Sequence, residues 1–353
     1  MAPTQQQLVF TPRPSASLGP ELFEQREAPI PEPRAGQVLV RNMILSCDPA
    51  QVGWLMSGHR YAPKVAAGEV MRAWGAGHVV ASKHPHFRVG DRVWGTLGWQ
   101  QYALSDGTGV LPLRQIPRDI ALSVPLGAGG INGMTAYIGL VELCGTAAAD
   151  QVVVSSAAGA TGSAAVQIAR ALGADVIGIA GGARKVSFVR SLGASACIDY
   201  KAESVAERIR GLCPSGVDVY FDNVGGSTLD ALLGAMADNG RIALCGASAQ
   251  YAGEPLSGAN LQLVLARTLR LQGFMLYQHA ARFEQISERL LEWVRSGELQ
   301  AHEDLAYGLA AAPGALMRLF QGLNVGKQLV VLEGARELEP NLTAVEERSR
   351  GAV

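Results

Sequence analysis

The sequence predicts an α/β chain in which a doubly wound parallel sheet is set into a smaller, mostly β domain. Three observations predict it. From Asn132 onward, apolar runs of strand length alternate with segments of helical period, the pattern of a parallel sheet covered on both faces. Before about residue 125 that texture is missing. Short alternating strands such as 38–43 are punctuated there by Pro29, Pro31, Pro33, Gly36, Gly90, Gly95 and Gly98. Finally, 353 residues exceed what one compact core usually fills.

Taken in order, strands are expected at 151–155, 175–180, 196–198, 217–222, 241–245 and 270–274. The intervening helices are expected at 163–172, 184–192, 205–212, 227–236 and 261–265. A last amphipathic helix, 282–294, carries Phe283, Ile286, Leu290, Leu291 and Val294 near helical spacing. Beyond Leu299 a strand–helix–strand pattern ending at 327–332 is too short for a domain and is expected to rejoin the β domain. The polar tail from Glu333 is expected to be loosely ordered. The expected domains are therefore 1–126 with 299–353, and 127–298.

Composition excludes several function classes. Hydrophobic residues at 48% and charged residues at 17% describe a globular chain, and a net charge of −1 gives no field to recruit nucleic acid or acidic membranes. No apolar run approaches the ~18 residues of a membrane span, and no secretory leader is visible at the N-terminus. Cys47, Cys144, Cys197, Cys213 and Cys245 are odd in number and widely spaced, which suits a reduced cytoplasm. No Gly-x-Ser-x-Gly nucleophile elbow occurs. His84 and His86 flank Pro85 with no carboxylate beside them and read as a surface turn.

The stretch 152–173, VVVSSAAGATGSAAVQIARALG, carries the chemistry. A β-branched run meets a loop of small residues and then a helix, the order that cradles a dinucleotide pyrophosphate. Backbone approaches phosphates only where side chains are nearly absent, at Ala157, Ala158, Gly159, Ala160 and Gly162. Ser163 is expected to open the helix, whose unpaired N–H groups and positive dipole end face the anion. The second strand ends in Gly181-Gly182 without the acid that grips the ribose 2′-hydroxyl of NAD. Arg184 and Lys185 follow instead, at the helix end where cations are disfavoured unless they share an anion. The 2′-phosphate of NADP is such an anion, each charge-assisted contact being worth about 1.5–3 kcal/mol. Tyr200, just after the third strand, adds a phenolic donor. The alternative is that both cations are merely solvated.

To these motifs are added FDNVGG (Phe221 to Gly226), LCGASAQY (Leu244 to Tyr251), LSCDP (Leu45 to Pro49), GEVMRAWGAG (Gly68 to Gly77), GDRVWGTLGWQQY (Gly90 to Tyr102), GMTAYIGL (Gly133 to Leu140) and LNVGKQLV (Leu323 to Val330). With them the chain from about Val38 to Leu332 resembles the zinc-independent medium-chain dehydrogenase/reductases, in the branch of prostaglandin reductases, alkenal double-bond reductases and curcumin reductases. The resemblance implies a GroES-like β domain built from both chain ends, a Rossmann domain inserted between them, and NADP(H) in the cleft. It places Gly159, Ala160, Thr161 and Gly162 at the pyrophosphate, and Lys185 and Tyr200 at the 2′-phosphate. Asn223, Cys245, Gly246, Ala247, Ser248, Tyr251, Phe274, Met275, Leu276 and Asn324 fall along the nicotinamide and its ribose.

The implied reaction sends a hydride to the β-carbon of an α,β-unsaturated ketone or aldehyde and a proton to the α-carbon. Tyr251 aligns with the tyrosine that serves the carbonyl or the proton, although a loop tyrosine shielding the cofactor is the alternative. Two departures bear on the substrate: Ala50 replaces an aromatic residue after Asp48-Pro49, and Ala252 replaces an asparagine. Thr135, beginning a helix at the domain junction, is a further candidate substrate contact. No metal is expected, because Gly68-Glu69-Val70 lacks the histidine that zinc-dependent cousins pair with a cysteine at the position of Cys47. Cys47 and Cys245 read as small buried residues. A quinone reductase and a non-catalytic NADPH-binding protein remain alternatives. The edge strand 270–274 would be an exposed pairing template in a lone Rossmann domain, and because relatives pair that edge with a twofold copy, the resemblance implies a homodimer.

Overall fold

The computed structural model describes residues 2–12, 18–56, 62–252, 255 and 259–335, without the side chains of Tyr251 and Ala252. Two compact units emerge, one of Met1–Leu126 and the chain from Glu303, the other of Gly127–His302.

In the first unit, β1 (Thr4–Phe10) and β2 (Phe23–Pro29) form an antiparallel ribbon. A seven-stranded sheet contains β3 (Val38–Ser46), β4 (Trp74–Ser82), β5 (Arg92–Thr96), β6 (Tyr102–Ser105) and β7 (Arg114–Gln115), with helix α1 (Ala50–Met56) after β3. Alternation along these strands turns Val38, Val40, Val79, Val93 and Ala103 into one buried cluster, joined by Leu97 and Leu113 beside the strand ends. The C-terminal chain supplies two more strands, β14 (Glu303–Tyr307) and β15 (Lys327–Val331). β15 pairs antiparallel with β3, Val330 opposite Leu45.

The second unit begins with α2 (Ile131–Tyr137), which continues as a π-helix over Ile138–Leu143. Its strands are β8 (Gln151–Val154), β9 (Asp175–Ala180), β10 (Ala196–Asp199), β11 (Val217–Asp222), β12 (Met236–Leu244) and β13 (Arg270–Gly273). All pair in parallel, in the order β10-β9-β8-β11-β12-β13. The helices between them are α3 (Ala160–Ala171), α4 (Ala183–Ser191), α5 (Val205–Leu212), α6 (Gly226–Leu233) and α7 (Gln262–Ala266). Covered on both faces, β8 buries Val152, Val153 and Val154 completely, which is why it reads as a continuous apolar run.

The secondary structure departs most from the sequence expectation at two places. The helix expected over 227–236 stops at Leu233, and β12 starts at Met236. Met236 is fully buried and pairs with Val217; a left-handed Asn239 (φ 64°) then shifts the register before Arg241 meets Val219. Periodicity cannot tell such a short apolar step from helix. Helix α3 starts at Ala160, three residues before Ser163, because extended Gly159 acts as its N-cap. Helix α8 (Phe283–Ser296) ends on left-handed Gly297. Gln300 stays with this unit through paired bonds to Gln167, at 2.8 and 3.1 Å. Among the described residues, no helix is long and apolar enough to cross a membrane. Helix α9 (Ala312–Phe320) lies between the two C-terminal strands.

Candidate functional site

The parallel sheet reverses its strand order between β8 and β11. Such a reversal opens a crevice at the carboxyl ends of the strands, where open α/β sheets bind ligands. Both the small-residue loop after β8 and Asn223 after β11 lie beside it.

In that loop the Ala157 N–H donates to the Ile179 carbonyl (3.0 Å), and the Gly159 N–H donates to the Ser156 carbonyl (2.9 Å). Ser156 is held left-handed (φ 48°), a costly backbone for a residue other than glycine and one that clusters at ligand sites. At Gly162 a β-carbon would collide with the Ser156 carbonyl and stand 2.8 Å from the Ala157 α-carbon. No side chain among the described residues caps α3, so its first N–H groups remain for an anion. Ser163 sits inside the helix, its hydroxyl donating to the Ala160 carbonyl (3.2 Å). The Thr161 hydroxyl accepts from Asn132 Nδ2 (2.9 Å).

The next strand end gathers the cationic candidates. Arg184, exposed, and Lys185, half-buried, occupy the first turn of α4, which holds no acidic residue. Tyr200 covers the turn before it: a β-carbon on Gly181 would stand 2.7 Å from its ring. An acid does reach this turn, from the neighbouring strand. Parallel register sets Asp199 opposite Ala180, and its Oδ1 accepts the N–H groups of Gly182 (2.9 Å) and Lys201 (3.0 Å). Asp199 thus serves the backbone of the turn.

Across the reversal, Asp222 is fully buried and accepts from four donors in five contacts. These are the hydroxyls of Ser155 (3.0 Å) and Tyr220 (2.7 Å), the N–H of Val224 (2.9 Å), and that of Gly225, shared by both oxygens (3.0 and 3.1 Å). Burial, and then the charge of Asp222, push the Tyr220 phenol well above its ordinary range. Asn223 donates its N–H to the Ser155 hydroxyl (2.9 Å) and its Nδ2 to the Ser155 carbonyl (2.7 Å), locking β8 to β11. Ser155, Tyr220 and Asp222 escaped the sequence reading. Their signal was an acid followed by Asn-Val-Gly-Gly, a turn whose N–H groups need an acceptor.

Cys245 and Gly246 both donate their N–H to the Asp222 carbonyl, at 2.8 and 3.1 Å, and Ser248 donates to the Asn223 carbonyl at 3.3 Å. Ala247 accepts from the Gln250 N–H (3.0 Å). Burial, then Asp222, push the Cys245 thiol up to about 12, so it is a neutral thiol rather than a nucleophile. Phe274, buried, follows β13 beside this loop because Gly273 lies opposite Leu244, while Met275 is exposed and Leu276 starts the next turn. The Thr135 hydroxyl donates to the Ile131 carbonyl (2.8 Å) within its own helix. Tyr251 falls in the 3-10 turn Ser248–Ala252, with its side chain outside the described residues.

In the first unit Ala50 opens α1, and buried Asn324 donates its Nδ2 to the Gly326 carbonyl (2.9 Å). Cys47 is buried, and burial above all drives its thiol far up. Among the described residues no group of three or more His, Cys, Asp or Glu is placed to hold a metal ion.

Residues 6–113 match the family described as the N-terminal domain of oxidoreductase, and residues 160–295 match the family described as zinc-binding dehydrogenase. The chain is 34% identical over 334 residues to the NADPH-dependent curcumin reductase of Escherichia coli, covering 92% of this chain and 96% of the relative. It is 36% identical over 306 residues to the NADP(+)-dependent 2-alkenal reductase of Nicotiana tabacum, covering 84% of this chain and 88% of the relative. The crystal structure of CurA from Vibrio vulnificus in complex with NADPH superposes with a TM-score of 0.84 at 36% identity, over 93% of this chain and 99% of that one. The chain belongs to the medium-chain dehydrogenase/reductase family, in the branch that holds curcumin, alkenal and prostaglandin reductases.

Proposed function

We propose that this member of the medium-chain dehydrogenase/reductase family uses NADPH to saturate the carbon–carbon double bond of α,β-unsaturated ketones and aldehydes. The observation that carries the choice of cofactor is the turn after β9. It presents Arg184, Lys185 and Tyr200 together, and its nearby acid, Asp199, is engaged by backbone N–H groups. Relatives named for NADPH-dependent curcumin and alkenal reduction support the reaction. The loop fits a dinucleotide: Gly162 lacks the β-carbon that would fill the cradle, and α3 begins uncapped.

NADPH, when bound, supplies the hydride for the β-carbon. The chain's own work is positioning. Gly159, Ala160, Thr161 and Gly162 hold the pyrophosphate, and Arg184, Lys185 and Tyr200 hold the 2′-phosphate. Asn223, Cys245, Gly246, Ala247, Ser248, Phe274, Met275, Leu276 and Asn324 place the nicotinamide end. Tyr251 donates to the substrate's carbonyl oxygen and so stabilises the developing enolate, a contribution of about 2.7–4 kcal/mol for one well-aimed donor. Ala50 and Thr135 bound the substrate. Met1–Leu126 with the chain from Glu303 forms the substrate domain, and Gly127–His302 the cofactor domain.

The enzyme works as a homodimer in the cytoplasm. β13 is an edge strand with Arg270, Gln272 and Gly273 exposed, and Leu265 of α7 is 85% exposed beside it in sequence, both of which support pairing with a second copy. A monomer mass at micromolar concentration would remove that part, and cell fractionation checks the location. The main test is NADPH oxidation over a panel of enones, enals and quinones, with Lys185→Ala and Tyr251→Phe beside the parent. Enone and enal turnover is expected, with Lys185→Ala weakening NADPH far more than NADH and Tyr251→Phe losing about a hundredfold in turnover. Turnover of quinones alone, tighter binding of NADH than NADPH, or less than a twofold loss in Tyr251→Phe refutes the corresponding part.

A further inference from the structure

One buried amide beside the small-residue loop is not explained by packing. Asn132, in the first turn of α2, is 8% exposed, and its Oδ1 has no hydrogen-bond partner among the described residues. A buried, unpaired acceptor costs stability that an apolar side chain of similar size would not. The other end of the amide accounts for its presence, because Nδ2 donates to the Thr161 hydroxyl at 2.9 Å. Thr161 is the second residue of α3, half-buried, in the uncapped turn. A hydroxyl offers one proton and two acceptor sites. With one acceptor site filled by Asn132 and no donation of its own among the described residues, Thr161 keeps its proton for an oxygen beyond the turn.

We infer that Asn132 is a positioning residue for the dinucleotide pyrophosphate: by donating to Thr161 Oγ1, it aims the hydroxyl proton at a phosphate oxygen. This rests on the NADPH reading above and deepens it, giving a residue outside the loop a share in cofactor affinity. The choice of an amide follows from the chemistry. A carboxylate at 132 could only accept, so it would draw the Thr161 proton away from the phosphates while facing them with like charge.

The experiment compares dissociation constants for NADPH and NADH, by cofactor fluorescence, and for adenosine 2′-monophosphate, by competition, all on the full chain. Asn132→Leu is expected to weaken NADPH and NADH by the same factor, about tenfold for one hydrogen bond to a charged group. Adenosine 2′-monophosphate, which has no pyrophosphate, is expected to stay within twofold of the parent. In a Thr161→Val background the same substitution is expected to add less than twofold, whereas Thr161→Ser keeps parental affinity. Asn132→Asp preserves the shape, is expected to lose more than Asn132→Leu, and decides the matter if the leucine variant does not fold. Parental NADPH affinity in either variant, equal losses with and without the Thr161 hydroxyl, or a matching loss of adenosine 2′-monophosphate overturns the assignment. A parent chain that binds neither NADPH nor NADH overturns the proposed function itself, and this inference with it.

Discussion

Among the described residues each unit buries one aspartate, and the two are satisfied in opposite ways. Asp222, at the end of β11, is surrounded by neutral donors: two hydroxyls and the backbone N–H groups of the turn that follows it. Asp48, at the end of the LSCDP segment, is paired with the ammonium of Lys327 and also accepts from the Ser46 hydroxyl. Lys327 donates in addition to the Cys47 carbonyl (3.2 Å), and both charged side chains are almost wholly buried. The difference separates two jobs. Oriented hydroxyls and N–H groups fix the turn that carries Asn223 without adding a countercharge near the cofactor cradle. The ion pair instead fastens two chain segments that meet only in the folded unit.

The nearby thiols register the same contrast. At Cys47 the charge of Asp48 raises the pKa and that of Lys327 lowers it, behind the dominant effect of burial. At Cys245 burial and Asp222 both raise it, and among the described residues no cation offsets them.

The largest effect is expected from Lys327→Met, which strands Asp48 as a buried, uncompensated charge. Urea unfolding is expected to show a loss of about 3–5 kcal/mol. Asp222→Asn removes a charge but not its shape, and turns one amide hydrogen toward the Gly225 N–H. It is expected to lose about 1–3 kcal/mol. A larger loss in Asp222→Asn than in Lys327→Met would show that the neutral donors, not the ion pair, hold the more costly charge. The same Asp222→Asn variant is expected to lower the Cys245 thiol from about 12 and speed its alkylation at alkaline pH, and an unchanged rate would discount the influence of Asp222 there.

Smallest is Tyr220→Phe, which leaves Asp222 four of its five donor contacts and is expected to cost roughly 1 kcal/mol at neutral pH. The phenol's folded pKa is raised above its ordinary 10.0, so its contribution is complete below pH 10 and is lost as pH rises beyond it. The stability gap between parent and Tyr220→Phe is therefore expected to narrow above pH 10; a gap that widens there would contradict the assignment.

What the sequence disclosed follows from how local each signal was. The stretch from Ser156 to Gly162 was legible because its requirement, near-absence of side chains where a strand passes into a helix, is written in consecutive residues. Arg184 and Lys185 were legible because their placement depends only on the strand before them. Asp199 was missed because it reaches the Gly182 N–H from another strand, through parallel register. The Asp222 network draws Ser155 from just after β8, 67 residues earlier, and the Asp48–Lys327 pair spans 279 residues. No spacing rule connects residues so far apart. Asn132 and Thr161 are closer, 29 residues apart, yet nothing in either segment names the other as partner. Met236 was misread for a different reason, since a buried apolar residue beside a short turn looks the same in strand and helix.

Hydride delivery to a conjugated carbon–carbon bond can be followed by supplying NADPH that carries deuterium at the transferable nicotinamide position, together with an enone. A saturated ketone bearing deuterium on its β-carbon is expected, formed one for one with NADP. Deuterium on the former carbonyl carbon, in an allylic alcohol, or recovery of unreacted enone alongside bound NADPH would contradict it.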